Sequence, residues 1–101
     1  MHVITKKRIL DFAKKHPDGK NALLVWNKTM EEENFSSFQS VKKKFGSVDY
    51  VDGVYVFYIG GNNYRLIAAI HFDTGTVFIL FILTHPEYDT NKWKSLLGMK
   101  K

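Results

Sequence analysis

Six consecutive residues, Thr84-His85-Pro86-Glu87-Tyr88-Asp89, gather a hydroxyl, an imidazole, a proline, two carboxylates and a phenol. An imidazole exchanges protons near neutral pH. His85 is therefore a candidate general acid or base. Glu87 and Asp89 can orient or assist it, and Tyr88 can donate a proton or stack on a base. The same stretch also reads as a polar loop closing a strand, with Thr84 and Asp89 satisfying backbone groups. A metal site would need His85, Glu87 and Asp89 to converge. Pro86 and the absence of a second histidine nearby in sequence weigh against that.

Arg65 follows the turn Gly60-Gly61-Asn62-Asn63 by two positions. A guanidinium there can clamp a phosphate in two-pronged fashion and stabilise charge that builds in a transition state. The plainer reading is an exposed strand arginine or one paired with a carboxylate. Asn62 and Asn63 are turn formers first, and can also contact a nucleotide. Basic residues cluster at Lys6-Lys7-Arg8, at Lys42-Lys43-Lys44, and in the tail at Lys92, Lys94, Lys100 and Lys101. Such runs either bind phosphates, with affinity that falls as salt rises, or simply solvate a face.

These groups need a scaffold, and the chain supplies one in two halves. "MHVI" reads as a short strand. Thr5 is placed to cap a helix over Lys6 to His16, with Ile9, Phe12 and Ala13 on one face and Pro17 as the stop. Asp18 is placed to cap a second helix over Gly19 to Glu33, with Ala22, Val25, Trp26, Thr29 and Met30 as its apolar stripe. "SSFQSVKKKFG" offers a serine cap, a short helix over Phe38 to Phe45 and a glycine stop. Beyond it, "SVDYV", "VYVFYI", "YRLIAAIHF" and "TVFILFIL" are β-branched and aromatic, joined by short turns that allow only antiparallel neighbours. The prediction is a single α+β domain over residues 1–101. Its helices pack on a mostly antiparallel sheet of four or five strands, with the N-terminal strand at an edge. The tail after Asp89, with Trp93 and Leu96-Leu97 among lysines, is expected to dock weakly or fray.

Composition bounds the function. The 101 residues are 45% hydrophobic and 25% charged, the balance of a folded globular chain, and there is no cysteine for a disulfide or thiolate site. The net charge of +5 favours a polyanionic partner. The N-terminus lacks the long apolar core of a signal peptide. Val77 to Leu83 is far short of the ~20 residues that cross a bilayer, so this run is a strand buried on both faces.

Taken together, "MHVIT", "YVFYIGGNNYRLIAAIHF" and "TVFILFILTHPEYD" resemble the HigB toxins of type II toxin–antitoxin systems. The resemblance runs over nearly the whole chain. It implies a RelE-like two-layer fold and a cytoplasmic endoribonuclease that cuts mRNA on the translating ribosome. The usual chemistry of such toxins uses no metal or other cofactor. It also implies a helix-turn-helix antitoxin of the HigA kind as partner, with DNA bound only through that complex. Arg65 falls on the arginine of the family's "YRL" motif, as the phosphate-stabilising group. His85 falls on the histidine of its "TH-x-EYD" motif, as general acid or base, and Tyr88 on the tyrosine, stacking on or donating to substrate. Asn62, Asn63, Glu87 and the lysines at 42, 43 and 44 complete the expected substrate-binding set.

Three positions depart from the family pattern. Leu80 stands where the strand before "TH" usually carries an arginine, Asn63 where lysine is often found, and Tyr58 where asparagine is common. Losing two cations from a phosphate site predicts cleavage weakened by roughly 10²-fold or more. The competing reading is a RelE-like module that keeps antitoxin or RNA binding without efficient cleavage.

Overall fold

The computed structural model describes the backbone of residues 1–100 and the side chains of residues 1–97. The chain runs β1 (His2–Ile4), α1 (Lys7–Lys15), a 3₁₀ turn (Pro17–Gly19), α2 (Lys20–Glu32) and α3 (Phe38–Phe45). It continues through β2 (Val48–Val51), β3 (Val54–Ile59), β4 (Tyr64–His71) and β5 (Thr76–Thr84) to α4 (His85–Asp89) and α5 (Lys92–Lys100). The five strands form one sheet in the order β1-β5-β4-β3-β2. The last four make the predicted antiparallel meander, and β1 lies parallel to β5 at the edge. This is the expected α+β, RelE-like arrangement. No helix among the described residues is long and apolar enough to cross a membrane.

Helices α1, α2 and α3 cover one face of the sheet. Their apolar residues Ile9, Leu23, Trp26, Met30 and Val41 meet Tyr55, Phe57, Leu66, Ala68, Val77 and Ile79 from the strands. The α2 stripe differs from the predicted one. Leu23, Trp26 and Met30 are its buried residues, whereas Val25 is 65% exposed. A stripe through 23, 26 and 30 follows from i, i+3, i+7 spacing, which rotates Val25 to the solvent side.

Two predicted caps are also absent, for a shared reason. Thr5 does not cap α1: its Oγ1 accepts from the Ile79 amide at 3.0 Å and donates to the Ile79 carbonyl at 2.9 Å. Asp18 does not cap α2: its carboxylate accepts the Tyr64 hydroxyl at 2.6 and 2.7 Å. Both side chains make tertiary bonds that tie the helical layer to the sheet. α3 follows the sequence closely, from a Ser37–Ser40 capping box to Gly46 at φ +75°.

The unbroken apolar run of β5 has two structural causes. The strand is covered on both sides, and it carries a bulge. Ile67 opposes Phe81 and Ala68 opposes Ile79, so Leu80 is an extra residue in the ladder. The bulge puts Leu80 and Phe81 together on the face opposite the long helices. There they join Val54, Val56 and Ile67 beneath Trp93 and Leu97 of α5. The tail therefore docks: Trp93 is 3% and Leu97 4% exposed. Burying large apolar side chains contributes about 1.5–3 kcal/mol each, enough to hold a short helix that has two such anchors.

Candidate active site

The polar end of the sheet is assembled by three neighbouring strands and α4. Arg65 on β4 pairs with Tyr58 on β3 and with Leu83 on β5. Strand alternation puts Arg65 on the α5 side of the sheet, while Tyr64 and Leu66 face the long helices. The guanidinium is enclosed rather than displayed: Arg65 is 5% exposed. Its Cζ lies 4.2 Å from the ring centroid of Tyr58 and 5.4 Å from that of Tyr88. Nη1 donates to the carbonyls of Asn62 at 2.9 Å and Tyr64 at 3.2 Å. Nε is buried without a hydrogen-bond partner, and Nη2 has none among the described residues. The protein thus bonds Nη1 and leaves the Nε/Nη2 donors unmatched, the pair whose geometry fits two oxygens of a phosphate, with Nε itself covered by protein atoms.

The turn before β4 holds both halves of the site. Gly60, Gly61 and Asn62 all have positive φ, and the Asn63 amide closes the turn on the Gly60 carbonyl at 3.3 Å. Glycine and asparagine take that conformation at least cost. The Asn62 carbonyl holds Arg65, and the Asn63 carbonyl accepts from the His85 amide at 3.0 Å.

The "THPE" residues do not form an open loop. Thr84 Oγ1 accepts from the Glu87 amide at 3.3 Å, and Glu87 Oε1 accepts from the Thr84 amide at 2.9 Å. This is a reciprocal capping box that starts α4, with Pro86 in its first turn. Glu87 is thereby turned back on Thr84. The three acidic and imidazole groups do not converge, and no group of three or more His, Asp or Glu side chains able to hold a metal ion occurs among the described residues.

His85 and Asp89, one turn apart, pair through Nδ1 and Oδ2 at 2.9 Å, with their side chains 43% and 59% exposed. An Nδ1–H bonded to a carboxylate leaves Nε2 as the ring nitrogen free to accept a proton. Tyr88 lies against Arg65 on one hand and Trp93 on the other, where the rings stack at 5.3 Å and 17°. Burial, reinforced by the Asp49 charge, raises the Tyr88 phenol above the ordinary tyrosine range, against the opposing pull of Arg65. It is therefore protonated at neutral pH and able to donate a hydrogen bond. The Tyr58 phenol is also raised, chiefly by its hydrogen bond to the Asp49 carboxylate and then by burial.

Arg65, Asn62, Asn63, His85 and Tyr88 are thus gathered at one end of β4 and β5. The lysines of α3 stand apart from them. Lys42 Nζ donates to the Val48 carbonyl at 3.2 Å, Lys44 pairs with Glu33 at 3.2 Å, and Lys43 is exposed. Glu31, Glu32 and Glu33 pair with Lys6, Lys28 and Lys44. Lys101 and the side chain of Lys100 lie outside the described residues. Asp49 and Trp93 were not singled out for the site from sequence. Asp49 reaches it only through the β2–β3 pairing, and Trp93 only because α5 folds back.

Residues 19–91 match the HigB toxin family, described as the RelE-like toxic component of a toxin–antitoxin system. The mRNA interferase toxin HigB of Escherichia coli K12 is 38% identical over 92 residues, covering 88% of each chain. The mRNA interferase HigB of Shigella flexneri has the same identity and coverage. That of Escherichia coli O6:H1 is 35% identical over 88% of this chain and 89% of its own. The chain belongs to the HigB toxin family. A toxin of such a system has an antitoxin as its counterpart.

Proposed function

We propose that this chain is an endoribonuclease that cuts mRNA on the translating ribosome in the cytoplasm, without a metal, and is neutralised by a helix-turn-helix antitoxin of the HigA kind. The relatives' names as mRNA interferases support the substrate class. The observation that carries the mechanism is the unoccupied Nε/Nη2 edge of a guanidinium otherwise fixed by two carbonyls and two rings.

The step is an internal transesterification. The ribose 2′-oxygen attacks the adjacent phosphorus and loses its proton to His85 Nε2. The bond to the 5′-oxygen breaks, and that oxygen takes a proton from the Tyr88 hydroxyl. The products are a 2′,3′-cyclic phosphate and a 5′-hydroxyl. Arg65 faces the two non-bridging oxygens, where negative charge grows. Asp89 holds the His85 tautomer. Asn62 and Asn63 bind the strand beside the turn. Glu87 supports the site by fixing α4, and the α3 lysines, Lys43 above all, give salt-sensitive phosphate contacts.

Asn63 in place of a lysine leaves this site short of one positive charge, and cleavage is correspondingly attenuated; Leu80, the other position that departs toward an uncharged residue, is packed beneath α5. Asn63 is exposed at the turn, so Asn63→Lys should raise the cleavage rate, by about 10-fold if one charge-assisted contact is regained. The test of the whole reading is message cleavage by purified protein in a translating extract. Cleavage should persist at chelator levels that spare the ribosome and should fall by about 10²-fold or more in His85→Ala. A wild-type chain that binds its antitoxin yet cuts nothing would establish the binding-module reading instead.

A further inference from the structure

The C-terminal helix carries a residue that touches the site and has no role in the chemistry above. Trp93 contacts Tyr88 twice. Its ring stacks on the Tyr88 ring at 5.3 Å and 17°, and its Nε1–H donates to the Tyr88 carbonyl at 3.1 Å. The same indole is 3% exposed and packs into the cluster of Val54, Val56, Ile67, Leu80 and Leu97. Tyr88 sits on α4, a helix of only five residues with no buried residue of its own. Its capping box fixes where α4 begins, but nothing in that box orients the phenol. The ring contacts on the phenol are Trp93 and the Arg65 guanidinium, within the apolar cluster it packs against.

We propose that Trp93 is a positioning residue: it holds the Tyr88 ring against Arg65, and Leu80 is part of the apolar seat that holds Trp93. The proposal rests on the assignment of Tyr88 and Arg65 to the site. It changes the meaning of the apolar run in β5. Leu80 is the bulge residue, 7% exposed, and its side chain joins the cluster under the indole. An arginine at 80 would place a guanidinium beneath the indole among hydrocarbon, where a charge is costly without a partner. In this chain Leu80→Arg therefore unseats Trp93 and slows cleavage, although it restores a cation.

The experiment compares Trp93→Leu, Trp93→Phe and Leu80→Arg in the full chain. Leucine keeps the seat apolar but cannot stack, whereas phenylalanine restores a stacked ring. A structural plug would make the two alike. The first readout is independent of activity: the through-space NMR cross-peaks between the Tyr88 ring protons, assigned with Tyr88→Phe, and the Arg65 side chain. They should be lost in Trp93→Leu and Leu80→Arg and persist in Trp93→Phe. The second is message cleavage, in which kcat should fall about 10- to 10²-fold in Trp93→Leu with KM little changed, recover largely in Trp93→Phe, and fall in Leu80→Arg. Persistent Tyr88–Arg65 cross-peaks in Trp93→Leu, equal cleavage by the Leu and Phe variants, or faster cleavage by Leu80→Arg would each overturn the proposal. If the wild-type chain cuts no message, the proposed function fails, and the Tyr88–Arg65 cross-peaks alone still decide whether Trp93 positions that ring.

Discussion

The two faces of the sheet solve different problems with the same strands. The face under α1, α2 and α3 is hydrocarbon and aromatic: Trp26 and Phe45 meet Phe57 edge-on, at 5.4 and 5.0 Å. The face under α5 is smaller and encloses a charge. Its column runs from Asp49 through Tyr58, Arg65 and Tyr88 to Trp93. The first face secures the fold. The second uses part of its burial to fix a guanidinium, leaving Nε without a partner. A polar group buried unsatisfied costs about 1–3 kcal/mol; the first face bears such a cost at the neutral Trp26 Nε1, and the second at the charged Arg65 Nε, where a phosphate is the proposed partner.

This contrast can be broken from either side. The largest effect is expected on the first face: Phe57→Ala, at a residue 1% exposed, should cost about 3–5 kcal/mol, read as a fall in the denaturant midpoint. Next comes Gly19, whose added Cβ would sit 2.7 Å from Tyr64 Cε2. Gly19→Ala should cost about 1–3 kcal/mol and disturb the Tyr64–Asp18 bond, measured by the same titration. On the second face, Thr84→Ala removes one half of the α4 cap. It should cost only about 1 kcal/mol of stability, yet lower cleavage out of proportion because α4 carries His85 and Tyr88.

The smallest effect is with pH. Hydrogen bonding to Asp18, then burial, raises the Tyr64 phenol, so its folded value exceeds its unfolded one. The stability it contributes is complete below the ordinary tyrosine range and is lost as pH rises through the folded value. The thermal midpoint of wild type should therefore fall more steeply above pH ~10 than that of Tyr64→Phe.

What the sequence revealed depended on how local the cause was. The Phe38–Phe45 helix was legible because Ser37 and Gly46 bracket it within the chain. The antiparallel meander was legible because its turns are too short for any other connection. Thr5 and Asp18 have the residue type and position of caps, but their partners, Ile79 and Tyr64, are distant in sequence and invisible to a local reading. Thr84-x-x-Glu87 with Pro86 between them is a helix start, although the same polar residue types also suit a loop that closes a strand. Arg65, His85 and Tyr88 stood out by residue type and by family resemblance. The enclosure of Arg65 did not, because it arises from Tyr58 across one strand pair and Tyr88 from a later helix. Leu80 looked like a missing charge until the bulge and α5 gave it a place to pack.

Arg65 is proposed to act as a fixed fork and not simply as a positive charge. Cleavage of a defined message in a translating extract by wild type and by Arg65→Lys tests it most directly, with circular dichroism and antitoxin binding measured alongside. Lysine keeps the charge and loses the planar fork, so cleavage should fall by about 10²-fold or more while fold and antitoxin binding persist. An Arg65→Lys chain that cuts as fast as wild type would contradict the account.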